Sequence, residues 1–102
     1  MPKFTVEKNS NLSTKETFDR VTDLLKNDKE LKKLDPAYKC EFDESSLSGT
    51  ASGKFFKALM DIQASGSEGA VVKITVDLPF TLALAKGLIE KTLKKKLDES
   101  LS

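Results

Sequence analysis

The cleanest alternation in the chain is at residues 72–78, where Val72, Ile74, Val76 and Leu78 are apolar and Lys73, Thr75 and Asp77 are polar. A period of two sends successive side chains to opposite faces, so this stretch predicts a strand with one buried face. The same rhythm recurs elsewhere. Phe4 and Val6 alternate with Lys3, Thr5 and Glu7; Tyr38, Cys40 and Phe42 with Lys39, Glu41 and Asp43; Phe56, Ala58, Met60 and Ile62 with Lys57, Leu59, Asp61 and Gln63. Residues 47–52 read as a further strand, with Gly49 and Gly53 on one parity. Glycine there marks a bend, a bulge or a close approach by something packed above it. Residues 9–12, 43–46 and 65–69 carry turn chemistry.

Helical spacing appears twice. Ser13, Thr14, Lys15 and Glu16 form a capping box, in which the Ser13 hydroxyl accepts from the Glu16 N–H and the Glu16 carboxylate reaches back to the Ser13 N–H. Phe18, Val21, Leu24 and Leu25 then follow at helical intervals. Asn27 and Asp28 weaken the helix, and Leu31 and Leu34 either continue it or form a second short turn. Pro36 ends it by pushing Asp35 out of the helical region. The second helix is expected over residues 80–101, roughly 33 Å at ~1.5 Å per residue. Pro79 suits its first turn, where a missing N–H costs nothing. Its first half is apolar nearly all round, and its second half is basic with one apolar stripe.

The expected order is β-α-β-β-β-β-α. Strands joined by short turns make an antiparallel meander, and the long last helix is the natural cover for its apolar face. The fold class is therefore α+β, a curved antiparallel sheet packed on a long C-terminal helix. The expected core is Phe4, Val6, Phe18, Val21, Leu25, Phe42, Met60, Ile62, Val72, Ile74, Val76, Leu82, Ile89, Leu93 and Leu97.

Composition narrows the function. A chain of 102 residues is expected to form one domain. The net charge is +1 and only Arg20 among the 17 basic residues is arginine, which argues against nucleic acid as a partner. The chain lacks histidine, the usual general base near neutral pH and the usual metal ligand. Its single cysteine, Cys40, has no histidine to activate it and is expected to behave as a small core hydrophobe. No enzyme activity, cofactor or metal site is expected. One cysteine and no secretory leader pattern predict a cytoplasmic protein. The apolar-rich stretch at 78–89 is shorter than the ~20 residues a spanning helix needs, so no transmembrane segment is expected.

The residues also suggest relatives. The segment SGTASGKFFKALMDIQ, followed by VVKITVDLPF and a helix ending LIEKTLKKKLDE, resembles the polyhydroxyalkanoic acid system proteins, small bacterial proteins of storage-polymer granules. The matching positions are Gly49, Gly53, Met60, Val72, Ile74, Val76, Leu78, Ile89, Glu90, Leu93 and Leu97. A tryptophan common in that family's second strand is absent, and Cys40 or Phe42 holds its place. The element order resembles a reduced START-like helix-grip fold, in which a curved sheet wraps a C-terminal helix and hydrophobic ligands often bind between them.

Two surfaces follow as candidates. Leu78, Phe80, Leu82, Leu84 and Leu88, with Met60 and Val76, are either covered by the sheet or left as an apolar contact surface. Lys91, Lys94 and Lys95 are either a solvated face near a helix C-terminus or a weak contact for an anionic surface. Three functions stay open. The resemblance implies a non-enzymatic accessory protein acting at the polyhydroxyalkanoate granule surface or on granule proteins. The architecture allows a carrier of a small hydrophobic, acyl-type ligand. The apolar patch allows a protein–protein module or homodimer.

Overall fold

The computed structural model describes residues 3–54, 56–66, 69–78 and 86–101, apart from the side chains of Glu30, Leu31 and Leu34. Along the chain come β1 (Lys3–Ser10), α1 (Thr14–Asn27), α2 (Lys29–Leu34), β2 (Lys39–Asp43), β3 (Ser48–Ser52), β4 (Lys57–Ser65), β5 (Gly69–Asp77) and α3 (Lys86–Leu101). The strands form one antiparallel sheet in the order β1-β5-β4-β3-β2. Strands β2 to β5 are a meander, and β1 joins its far edge beside β5. The expected α+β arrangement is present, with one addition: the 29–34 stretch is a helix of its own.

Register aligns the alternating side chains into rows across the sheet. One inward row is Phe4, Val76, Ala58, Ala51 and Cys40. The next is Val6, Ile74, Met60, Gly49 and Phe42. A Cβ at Gly49 would lie 2.4 Å from Phe42 Cδ1, so the missing side chain is what lets the Phe42 ring lie across β3. That ring meets Phe18 of α1 edge-on, with centroids 6.4 Å apart.

Helix α1 covers the inner face. Thr17, Phe18, Val21 and Leu25 recur at three- and four-residue steps and are its buried stripe. Its start follows the cap read from sequence, with Ser13 Oγ accepting from the Glu16 N–H at 3.1 Å. The return half of the capping box is not formed: the Glu16 carboxylate turns instead to Arg20, one helical turn on, at 3.4 Å. The helix ends where Asp28 becomes extended, its N–H still bonded to the Leu24 carbonyl at 3.0 Å.

Helix α3 rests on β1 and α1. Leu93, Leu97 and Leu101, four residues apart, are its buried stripe. Full burial of each leucine contributes about 1.5–3 kcal/mol relative to exposure. Lys8 and Asp98 pair beside this contact, and Lys96 reaches Asp28 at 2.8 Å.

Several expectations need correction. Residues 9 and 10 do not turn but extend β1, because Asn9 and Ser10 pair with Val71 and Ala70. Ser10 is buried, and its hydroxyl is satisfied by Thr17 Oγ1 at 2.9 Å and the Leu12 N–H at 3.1 Å. Leu47 lies in a turn rather than a strand, with φ 52°. Phe42 and Ile89 pack against the core only half-buried, since Phe42 is on edge strand β2 and Ile89 on the first turns of α3. Ala51, Ala70, Leu78 and Leu101 join the core instead. Leu82 lies outside the described residues, as does the expected start of the last helix at 79–85.

Candidate functional site

One end of the inner face differs from the rest. At the end where β5 leaves the sheet, the last inward row ends in small residues, Ala58, Ala51 and Cys40. Beyond it lie Leu78 after β5, Phe56 before β4 and Tyr38 before β2. Val76, Leu78 and Ala51 are buried as a floor, while Tyr38, Cys40, Phe56 and Ala58 are only half-buried. The result is a half-buried apolar rim over a buried floor, the mouth of this end of the sheet.

The rim is held by the helix it faces. The last four carbonyls of a helix have no partner within it. In α1, Leu24 is satisfied by the Asp28 N–H, and the Leu25 carbonyl accepts from the Tyr38 O–H at 2.8 Å and from the Cys40 thiol at 3.5 Å. Tyr38 stacks on Phe56 at a centroid distance of 5.7 Å and a tilt of 32°. Burial, then the neighbouring Cys40 and Asp28, push the Tyr38 phenol well above its ordinary range, so it stays a protonated donor. Its oxygen keeps accepting capacity for a further hydrogen bond.

Behind the rim, Asp35 is fully buried. Its Oδ1 accepts from the Ala37 N–H at 3.1 Å and its carbonyl from the Tyr38 N–H at 2.9 Å. This turn sets the start of β2 and hence the position of the Tyr38 ring. A Cβ at Gly53 would lie 2.1 Å from Asp35 Oδ2, so glycine is what admits the carboxylate.

The residues singled out from sequence divide into groups. Leu78, Val76 and Met60 are brought to the inner face and buried. Leu88 is not with them: it is 70% exposed. At about 100° per residue it points about 140° away from Leu93 and about 180° away from Leu97, whose stripe holds the helix down. Among the described residues, the set is thus divided between an interior group and the exterior Leu88. Phe80, Leu82 and Leu84 lie outside the described residues. Lys91 and Lys95 are exposed, and Lys94 pairs with Glu90 at 3.5 Å.

Asp77 ends β5, with Oδ1 buried and without a hydrogen-bond partner among the described residues. Among the described residues, no group of three or more Cys, Asp and Glu is placed to hold a metal ion, and no helix is long and apolar enough to cross a membrane. Sequence reading missed Tyr38, Phe56, Ala58 and Asp35 as site residues. The usable signal was a pair of aromatics flanking strand starts beside an alanine on the apolar parity.

No family model matches this chain, and no curated protein matches it either. Solved structures do. The di-domain ARO/CYC BexL from the BE-7585A biosynthetic pathway superposes with a TM-score of 0.72 at 8% identity, over 99% of this chain and 45% of that one. A START superfamily protein from Mycobacterium smegmatis gives 0.61 at 12% identity, over 97% and 93%. Truncated norcoclaurine synthase from Thalictrum flavum gives 0.60 at 10% identity, over 98% and 90%. At these identities the likeness is one of fold: this chain has a START-like helix-grip architecture.

Proposed function

We propose that this chain is a non-enzymatic binder of a small molecule with an apolar body, such as an acyl chain, held at the Tyr38, Cys40, Phe56 and Ala58 mouth. The observation that carries this reading is the gathering of half-buried apolar side chains over a buried floor at one end of the inner face. Ligand sites are concave and mainly apolar, with a few placed polar groups, and the Tyr38 oxygen supplies such a group here. The helix-grip likeness supports the choice of this face. Two of the similar structures are an ARO/CYC protein of a biosynthetic pathway and a synthase. Neither residue set is carried over to this chain. NMR titration with decanoate is the test. Shifts confined to Cys40, Ala58, Val76 and Leu78 support binding at the mouth, and no shifts at millimolar ligand overturn it.

The granule-surface role named by the sequence resemblance is a second reading, and one feature favours it. Leu88 is exposed on the same α3 face as Lys91 and Lys95, an apolar point flanked by two cations. A fluorescent fusion in polymer-accumulating cells checks it. Granule rings lost on Leu88→Ser support the reading, and uniform fluorescence of the wild type beside visible granules ends it.

A further inference from the structure

The opposite face of the sheet carries charges in an order that the fold of one chain does not require. Register sets three outward rows. The first is Lys3, Asp77, Lys57, Ser52 and Lys39. The middle is Thr5, Thr75, Leu59, Thr50 and Glu41. The third is Glu7, Lys73, Asp61, Ser48 and Asp43. Strand by strand, the third row reverses the sign of the first: Lys3 with Glu7, Asp77 with Lys73, Lys57 with Asp61 and Lys39 with Asp43. Serine matches serine on β3.

Alternation within a row is explained by cross-strand pairing inside one chain. Reversal between the rows is not, because they lie about 14 Å apart, four residues at ~3.4 Å each. Within the chain two of these carboxylates take hydrogen bonds from neutral groups only, Asp43 from the Ser45 hydroxyl at 2.6 Å and N–H at 3.0 Å, and Asp61 from the Gln63 amide at 3.0 Å. Among the described residues, none of these eight is in an ion pair. Leu59 stands at the centre of this face, 60% exposed, with hollows of about 470 and 370 Å³ on its two sides.

We propose that this face is the interface of a two-fold dimer of this chain, with the axis along the row of Thr5, Thr75, Leu59 and Thr50. A two-fold in that direction lays the first row of one copy on the third row of the other. Every lysine of the first row then meets a carboxylate, and Asp77 meets Lys73 of the second copy. Each contact occurs twice, as an isologous interface requires. Leu59 meets its own copy at the centre. Facing sheets cross at about −30°, so contact is closest at β5, β4 and β3, while at the edge strands the pairs of Lys3 with Glu7 and Lys39 with Asp43 form at the solvent rim, where water also screens Glu41 from its own copy. Five strands at ~4.8 Å by about 20 Å of strand give roughly 500 Å² per copy. The roughly 1,000 Å² total is at the low end for specific interfaces, so the dimer is weak and salt-sensitive. The proposal is independent of ligand binding, which uses the other face.

Sedimentation equilibrium of the full chain tests it. The expected result is a concentration-dependent dimer at low salt that dissociates in 0.5 M NaCl and is lost in Leu59→Asp with an unchanged circular dichroism spectrum. Position is read by a short bismaleimide in a Cys40→Ala background. Leu59→Cys cross-links to itself. Lys57→Cys alone does not, being about 14 Å from its own copy. A mixture of Lys57→Cys and Asp61→Cys chains does. A monomer at every concentration in low salt, a dimer indifferent to both salt and Leu59→Asp, or cross-linking of Lys57→Cys as efficient as that of Leu59→Cys overturns the proposal. Should Leu59→Asp unfold, the cross-linking pattern decides alone.

Discussion

Lys96 Nζ lies 2.8 Å from Asp28 Oδ2, with the two side chains only 17% and 9% exposed. This pair fastens α3 to the junction of α1 and α2. Removing one member leaves a charge in a largely dry place, which costs about 3 kcal/mol. Urea denaturation of Lys96→Ala is expected to show a loss near that size. Lys94→Ala, which breaks an exposed pair on the same helix, is expected to lose about 0.5 kcal/mol or less. Equal losses in the two variants would show that Lys96 and Asp28 are not coupled in the folded state.

Gly49 and Phe42 are expected to behave as one unit. A methyl at Gly49 meets the Phe42 ring at 2.4 Å and the Glu41 carbonyl at 3.1 Å, so Gly49→Ala is expected to cost about 1–3 kcal/mol by overpacking. Phe42→Ala alone loses packing against Phe18. The double variant should be less damaged than the sum of the two, because removing the ring makes room for the methyl. Thermal melts of the four proteins in this cycle measure the coupling, and strict additivity would mean that the ring does not occupy the Gly49 gap.

Tyr38 is the only tyrosine, so phenolate absorbance reports on it alone. Burial first, then Cys40 and Asp28, raise its folded pKa above the ordinary 10.0. The folded protein thus holds the phenol proton more tightly than the unfolded chain does. The stability this represents is fully present below pH 10 and declines as pH rises above it. Folded protein is expected to show no phenolate step at pH 10, with the step appearing on alkaline unfolding. Tyr38→Phe should lose about 1 kcal/mol at neutral pH and show a flatter decline above pH 10 than the wild type. A normal phenolate titration in the folded state would place the ring in open solvent.

Ala58 lies half-buried in the last inward row, where a larger side chain fills the mouth. Ala58→Val is expected to weaken decanoate binding at least tenfold while moving the thermal midpoint only a few degrees. Calorimetric titration beside a thermal melt separates the two. Unchanged affinity would move the ligand away from this end of the sheet.

Much of the scaffold is legible in the chain itself. The alternation at 72–78 identified which side chains of β5 face inward, and the same rule served β1, β2 and β4. Ser13 marked the start of α1 because a hydroxyl before a helical run has a local use for its oxygen. The candidate site was far less legible. Tyr38 reads as one more apolar member of a strand, and Asp35 as a residue that stops a helix before proline. Their roles come from partners distant in the chain: the Leu25 carbonyl for Tyr38, and the gap at Gly53 for Asp35. Leu88 failed for a related reason. Its apolar character was plain, but whether it faces in or out depends on which stripe of α3 is held by β1 and α1.

What the sequence determined by itself is local: period, caps and stops, which follow from how one residue's backbone and side chain act on the next few. Tertiary structure decided what stands opposite what. Register made rows out of separate strands, put a glycine beneath the Phe42 ring, left one end of the inner face partly open, and set two rows of opposite sign on the outer face. These are relations between residues on different elements, set by packing and strand pairing, to which no local pattern is sensitive.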